Sequence, residues 1–312
     1  MSGLEPPFPP DIRIVVPASS ANLGPGFDSL AMALELRNTI DLWRRSSGEG
    51  DIIAIEGEGE HVLERDDRNM VLAAMRLLAA QAGRVLPPVT LRLSNAVPLG
   101  RGLGSSAAAI AGGLVMAAAL LDLPGDPESL LPIALHLESH PDNVAASLWG
   151  GFTVGVLDGA QPCVLHMQPP PELRAVVLIP GGFSSTAESR RALPGMIPRA
   201  DAIFNAGRCA LLAAALSQGR WDLLAVAMQD RLHQPKRAAG FPYLEKAIAA
   251  ALGAGAHGAA LSGAGSSVIA LTTAHERAIA DALKTVAREH GVAADTICLP
   301  IATRGAHRVS PD

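Results

Sequence analysis

The chain has 312 residues, 49% of them hydrophobic and 18% charged, with a formal net charge of −5. That is enough apolar material for one large core or two closely packed ones. The mild acidity and the lack of any run of Lys or Arg exclude wholesale binding of nucleic acid or of an anionic membrane, while leaving room for a local basic pocket.

After a Pro-rich start, residues 12–16 read as a strand that runs into a Gly-rich turn, ANLGPGFDS. Residues 51–56 alternate apolar and polar as a half-exposed strand does. A helix is expected over 69–82, where Met70, Leu72, Ala73, Leu77 and Leu78 recur at helical spacing and Gly83 supplies the stop. The next strand, 89–93, leads into the loop PLGRGLG. Residues 105–121 carry almost no polar side chain, which predicts a helix buried on nearly all sides. Asp126, Pro127 and Glu128 are an N-cap, a first-position proline and a first-turn acid, opening a helix expected to reach Glu138. Pro141 disfavours helix at His140 and ends it there.

A shift to Pro and Gln over 159–171 marks a boundary, dividing the chain into 1–165 and 166–312. Beyond it the order is strand (175–179), helices (201–218, 221–230 and 243–252), strand (258–261), strand (268–272), helix (275–290) and a last strand (296–299). That split βαβ pair predicts a ferredoxin-like second domain. Trp149, Phe152, Phe183 and Phe204 are read as core. Cys163, Cys209 and Cys298 lie far apart and form no CxxC pair, so buried thiols in a reducing compartment are expected. The N-terminus lacks the pattern of a signal peptide, and the longest apolar run is too short and too rich in Ala and Gly to span a bilayer. A soluble, cytoplasmic protein is the expectation.

The most informative stretch is Pro98, Leu99, Gly100, Arg101, Gly102, Leu103, Gly104, Ser105, Ser106, Ala107 and Ala108. Its glycines let backbone approach a ligand closely. The apolar helix begins at once, so its unpaired N–H groups and positive dipole end face whatever the loop holds. Ser105 and Ser106 add hydroxyls that reach a phosphate oxygen or a metal ion, and a polyphosphate suits this set. A Walker A loop is excluded because Gly104 stands where Lys is needed. The dinucleotide pattern is nearly met by Gly102, Gly104 and Ala107 with Asp122 downstream, but Pro98 separates strand from turn. A merely structural Gly-rich loop remains open on these residues alone.

Three loops of related character occur in order: PASSANLGPGFDSLAMAL (17–34), PLGRGLGSSAA (98–108) and LSGAGSSVIAL (261–271). Together they resemble the three signature motifs of the GHMP kinase superfamily. The resemblance implies an α+β fold in two parts, a ribosomal-protein-like α/β N-terminal domain packed on a ferredoxin-like C-terminal one. It implies an ATP-dependent small-molecule kinase whose middle loop wraps the phosphates and whose third loop, through Gly263, Gly265 and Ser266, closes the site. Asn69 matches a position near the adenine, and is equally a helix N-cap.

Within the superfamily, three segments are similar to homoserine kinases. In PASSANLGPGFD, Asn22 and Asp28 match positions lining the substrate cleft; a turn aspartate is the plainer reading of Asp28. In HPDNV (140–144), His140 and Asn143 match substrate contacts; a helix stop and new N-cap would also explain that segment. TAESR (186–190) and HQPKR (233–237) bring Thr186, Arg190 and Arg237, the arginines matching the pair that clamps the amino acid carboxylate, where two planar guanidiniums are chemically apt. Either alone would pass for a surface arginine.

The resemblance implies Mg²⁺ bridging the phosphates, held by a hydroxyl (Ser106 or Ser105) and by Glu138, at the end of its predicted helix. Glu138 as a solvent-facing residue is the alternative. Asn143 is expected to orient the substrate hydroxyl; Asp142 as a general base is the competing assignment. The histidines show no zinc spacing. Homoserine and ATP are the expected partners, and a homodimer and a place in threonine synthesis are implied by the resemblance only. Other GHMP activities (mevalonate or sugar kinases), a non-catalytic ligand-binding relative and a nicotinamide dehydrogenase are the rival readings.

Overall fold

A computed structural model describes residues 8–182, 186–191 and 193–310, and the side chains of these except 186–188. In chain order the elements are β1 (Ile12–Asn22), β2 (Gly26–Arg44), β3 (Ile52–Gly57), α1 (Met70–Gln81), β4 (Val89–Asn95), α2 (Ser105–Leu121), α3 (Pro127–Ala134), α4 (Pro141–Trp149), β5 (Phe152–Asp158) and β6 (Gln161–Met167). There follow β7 (Arg174–Pro180), α5 (Thr186–Arg191), α6 (Arg199–Gln218), α7 (Leu224–Ala227), α8 (Gln234–Arg237), α9 (Leu244–Gly253), β8 (Gly258–Leu261), β9 (Val268–Thr272), α10 (Glu276–Glu289), β10 (Ala294–Pro300) and β11 (His307–Val309).

The first sheet has the order β11-β1-β2-β4-β3, with β5 and then β6 added along β2. Only β3 and β4 are parallel in it. β2 is long enough to pair with β4 through Thr39–Arg44 and with β5 through Leu30–Met32, so it is the spine of the sheet. Arg13, Asp41 and Arg92 stand opposite one another on β1, β2 and β4, and the buried Asp41 carboxylate takes both guanidiniums at 2.6 and 2.7 Å.

The second sheet is antiparallel throughout, with the order β10-β7-β9-β8. Helices connect β7 to β8 and β9 to β10, which is the ferredoxin-like arrangement expected from the sequence. Strand alternation sorts the faces of β7: Ala175 and Val177 join a core with Leu30, Met32 and Phe152 of the first sheet, while Val176 and Leu178 pack under α9 and α10. A third core lies between the first sheet and α1, α2 and α3.

Several expectations need correction. β1 does not turn after Val16 but continues to Asn22, and residues 26–44, where the sequence pattern predicts no element, form β2. The helix beginning at Pro127 stops at Ala134, not Glu138: Pro132 removes one of its few donors, and the N–H groups of His136 and Leu137 then turn to Ile133 and Ala134. The Pro- and Gln-rich stretch opens with a hairpin, so β6 runs to Met167 within the first sheet, and β11 brings the C-terminal segment back to that sheet. The helix expected over 221–230 is a 3₁₀ turn followed by the four residues of α7. Cys163 is exposed on β6, and Cys209 and Cys298 are half-buried. Phe152 is buried, but Phe204 is half-exposed, with the guanidinium carbons of Arg208 and Arg231 at 3.2 and 3.9 Å from its ring centre; Phe183 lies outside the described residues.

Candidate active site

The three motif loops meet. Ser19 N–H donates to Leu103 O (3.1 Å), and Gly263 N–H to Ala21 O (3.0 Å). Ser262 Oγ lies 2.8 Å from Ser20 Oγ and donates to Gly102 O at 2.6 Å. The contact is too close for a side chain at Gly102, where a Cβ would lie 2.1 Å from Ser262 O. Where the loops converge they border a cleft of about 910 Å³.

One end of the cleft is built on α2. Gly104 is its N-cap, with φ of 71°, and the first intrahelical bond runs from Ala108 N–H to Gly104 O. The N–H groups of Ser105, Ser106 and Ala107 therefore have no carbonyl of the helix to bond, and the helix dipole places positive potential in the same loop. Pro98 through Ala107 line the cleft, and Ala108 does not, being buried in the core beneath. Val62, Leu63, Met70, Val71 and Leu93 give this end an apolar wall, none of it predicted from sequence. Asn69 both lines the cleft and caps α1, its Oδ1 accepting from Val71 N–H and its amide donating to Glu64 O. The two readings of Asn69 are thus compatible.

The cleft also carries charge. Asp28, held with φ of 57°, accepts both Arg190 amines at 3.0 and 2.8 Å. His140 lies between two carboxylates, with Nε2 3.6 Å from Asp28 and Nδ1 3.5 Å from Glu138. The bond to Glu138, and then the Asp28 charge, raise the imidazole above its ordinary value despite partial burial. Arg237 is buried and donates to Gly263 O at 3.0 Å. Burial and then the nearby Arg190 charge press it down to about 10, which still leaves it cationic at neutral pH. Both guanidinium carbons sit by the Phe27 ring, at 5.3 and 5.4 Å from its centre.

Asn22 bridges the loops: its amide donates to Gly263 O (2.9 Å) and its Oδ1 accepts from Asp28 N–H (3.1 Å). Asn143 Oδ1 accepts from Ser19 Oγ at 2.9 Å, below the Gly104 cap. Asp142 is almost wholly buried, accepts from Asn143 N–H, and is pushed up to about 6 chiefly by burial.

Of the sequence-predicted site residues, Asn22, Asp28, Asn69, Glu138, His140, Asp142, Asn143, Arg190, Arg237 and Gly263 line this one cleft with the middle loop. Gly265 and Ser266 do not: Gly265 faces the Phe241 ring, and Ser266 is buried with its carbonyl accepting from Tyr243 Oη. The Thr186 side chain lies outside the described residues. Ser19 and Phe27 were missed, although both stand inside the first motif.

Mg²⁺ asks for hard oxygen donors and few of them from protein when phosphates supply the rest. Glu138 offers a carboxylate whose Oε1 accepts from Ser139 N–H and lies 3.5 Å from His140 Nδ1. Ser106 is exposed at the start of α2, with no side-chain partner among the described residues. That donor set fits magnesium. Among the described residues no group of three or more His, Cys, Asp or Glu could hold a metal by itself, and no helix is long and apolar enough to cross a membrane.

Residues 69–151 match the family described as GHMP kinases N terminal domain, and residues 212–289 match GHMP kinases C terminal. A homoserine kinase of Desulfitobacterium hafniense is 40% identical over 95% of this chain and 99% of its own length. One of Symbiobacterium thermophilum is 50% identical over 74% of each. The crystal structure of homoserine kinase from Cytophaga hutchinsonii has a TM-score of 0.86 at 29% identity, covering 96% of this chain and 97% of that one. A mevalonate kinase of L. major, at 15% identity and a TM-score of 0.70, shares the fold. The loops, the cleft between them and these likenesses agree, and the chain belongs to the homoserine kinase family of the GHMP kinases.

Proposed function

We propose that this protein transfers the γ-phosphoryl group of ATP to the side-chain hydroxyl of L-homoserine, with Mg²⁺, giving O-phospho-L-homoserine. ATP use comes with the GHMP kinases, and homoserine with the relatives it resembles over most of their length. The observation that carries the reading is one cleft lined both by a helix N-terminus suited to phosphate and by Asp28, Arg190 and Arg237. An α-amino acid is a zwitterion, and that second set offers a carboxylate for its ammonium and guanidiniums for its carboxylate.

Phosphoryl transfer asks the protein for positioning and charge neutralisation more than for covalent chemistry. The free N–H groups of α2 and the Ser105 and Ser106 hydroxyls hold the phosphates. Glu138 and Ser106 would hold Mg²⁺, which would neutralise charge on the phosphates. Asn143, fixed by Ser19, orients the attacking hydroxyl from beside the α2 cap. Asp142 stands behind it, buried, and supports the segment. We place the enzyme in the cytoplasm, as a homodimer, supplying threonine synthesis.

The test is an ADP-release assay with ATP, Mg²⁺ and L-homoserine, mevalonate, galactose or L-serine. Turnover with homoserine alone is expected. Turnover with mevalonate or galactose instead would keep the kinase and remove the charged end from the substrate site. Silence with all four, in folded protein that binds ATP, would favour a regulatory relative.

A further inference from the structure

Arg237 does not stand by itself. It ends α8, a helix of only four residues, which cannot hold a geometry alone. The segment before it is fixed by Asp230, whose carboxylate accepts the N–H groups of Leu232 (2.9 Å), His233 (3.0 Å) and Gln234 (2.6 Å). Asn205, on α6, donates to the same carboxylate at 2.6 Å and accepts from Arg231 N–H at 2.9 Å.

His233 sits at the centre of this arrangement, with no exposed surface. Its Nε2 is 2.7 Å from Gly24 O, in the first motif loop, and its Nδ1 is 3.2 Å from Arg237 Nη1. A carbonyl only accepts and a guanidinium only donates. The ring must therefore carry its proton on Nε2 and present a lone pair at Nδ1. The neutral form that this requires is the one burial favours. Phe27, the ring beside both guanidiniums, packs against the same imidazole at 5.3 Å between centres.

We propose that His233 is a positioning residue for substrate recognition: as a neutral Nε2–H tautomer tethered to Gly24, it aims Arg237 at the substrate carboxylate. This rests on the proposed role of Arg237 as a carboxylate partner. The aim has few alternatives, because Arg237 Nη1 is shared between His233 and Gly263 O, and Nε is 3.4 Å from Ser189 O. Losing the lone pair frees the guanidinium to swing while leaving the phosphate end of the cleft untouched.

The test compares H233A, H233Q and H233N with R237A by steady-state kinetics, with melting temperature and ADP affinity measured on each. Gln places an amide donor near the Nε2 position and no acceptor near Nδ1. Asn places a carbonyl near Nδ1 and cannot reach Gly24. H233A and H233Q are expected to raise the KM for homoserine about tenfold, with kcat and the KM for ATP within about twofold of wild type. H233N is expected to recover most of that loss, and with L-homoserinol, which lacks the carboxylate, the variants should match wild type. Rescue by Gln instead of Asn would make His233 a tether of the first loop and overturn the proposal. So would an unchanged KM in H233A, or loss of folding or of ADP binding in all three variants. If R237A itself leaves the homoserine KM unchanged, the role of Arg237 fails, separately from any result at His233.

Discussion

Arg190 and Asp28 are 162 positions apart in sequence, and they form a two-bonded ion pair in the cleft. The pair joins α5 of the second half to β2 of the first. On the proposed reading, an amino acid entering there meets an anion and a cation already matched to each other, and must take both. Asp28→Asn is expected to lower kcat/KM for homoserine by roughly tenfold to a hundredfold, mainly through KM, because a charge-assisted bond is lost and Arg190 is left without its anion. A KM for homoserine unchanged in this variant would remove Asp28 from the ammonium site.

Gly104 is where the start of α2 is most constrained. A Cβ there would lie 2.0 Å from Ser19 Oγ and 3.2 Å from Asn143 Oδ1, at a φ that L residues avoid. Gly104→Ala should cost about 1 kcal/mol of stability from φ alone. The larger effect is displacement of Ser19 and Asn143, lowering kcat by roughly a hundredfold with ADP affinity reduced as well. Calorimetric nucleotide titration and turnover at saturating substrate check the two parts.

Asp142 gives a stability signal that depends on pH. Its carboxyl titrates near 6 in the folded protein, chiefly through burial, against 3.8 as the ordinary value. The folded state therefore holds a proton that the unfolded chain has lost, and stability falls as pH rises from about 4 to about 6. Asp142→Asn removes that dependence. Its stability relative to wild type should grow over this window, by up to about 3 kcal/mol at pH 7, and vanish near pH 4. Urea midpoints at several pH values read this directly. At saturating substrates the same variant should keep kcat within about threefold while Asn143→Ala loses far more; a fall of about a hundredfold or greater in Asp142→Asn would identify Asp142 as the base.

The Arg13–Asp41–Arg92 ladder behaves oppositely. Burial works to raise the Asp41 carboxyl, but the hydrogen bonds and charges of Arg13 and Arg92 outweigh it and hold the group below 3.8. Its contribution is present above pH 4 and is lost as pH falls through the depressed value. Asp41→Asn should cost about 3 kcal/mol at pH 7 by removing the buried charge that both guanidiniums bond. The difference from wild type in denaturant midpoint should shrink in acid.

Glu138→Gln keeps the shape of the proposed magnesium ligand and removes its charge. The Mg²⁺ concentration for half-maximal turnover is expected to rise about tenfold or more, while metal-free ADP binding changes little. An unaltered Mg²⁺ requirement would return Glu138 to the role of partner for His140 alone.

The sequence was most legible where one local rule acts. Asn69 caps α1 as its chemistry suggests, α2 occupies Ser105–Leu121 as its composition predicts, and the order of strands and helices after Arg174 reveals the ferredoxin-like half. It was least legible where distant pairing overrides propensity. Residues 29–36 of β2, SLAMALEL, are mostly good helix formers, and only pairing with β1 and β5 makes them strand. The motif residues of the cleft were readable through the family pattern, whereas Phe27 and His233 matter through what they touch. Glu138 was placed on a helix that Pro132 helps to shorten. That Arg190 and Asp28 are partners has no signal in one sequence.

β11 pairs with β1 through Arg13 to Val15, so two strands almost the full described length apart lie side by side. During synthesis on the ribosome, β1 leaves the exit tunnel well before His307–Val309, and its outer edge stays open until they emerge. The same adjacency suits the described residues to circular permutation: a linker from the segment after β11 to the segment before β1, with new termini opened in the exposed turn at Gly159 and Ala160, would move the edge strand to the interior of the reading frame. Such a permutant should fold to the same architecture while changing the order in which the sheet closes.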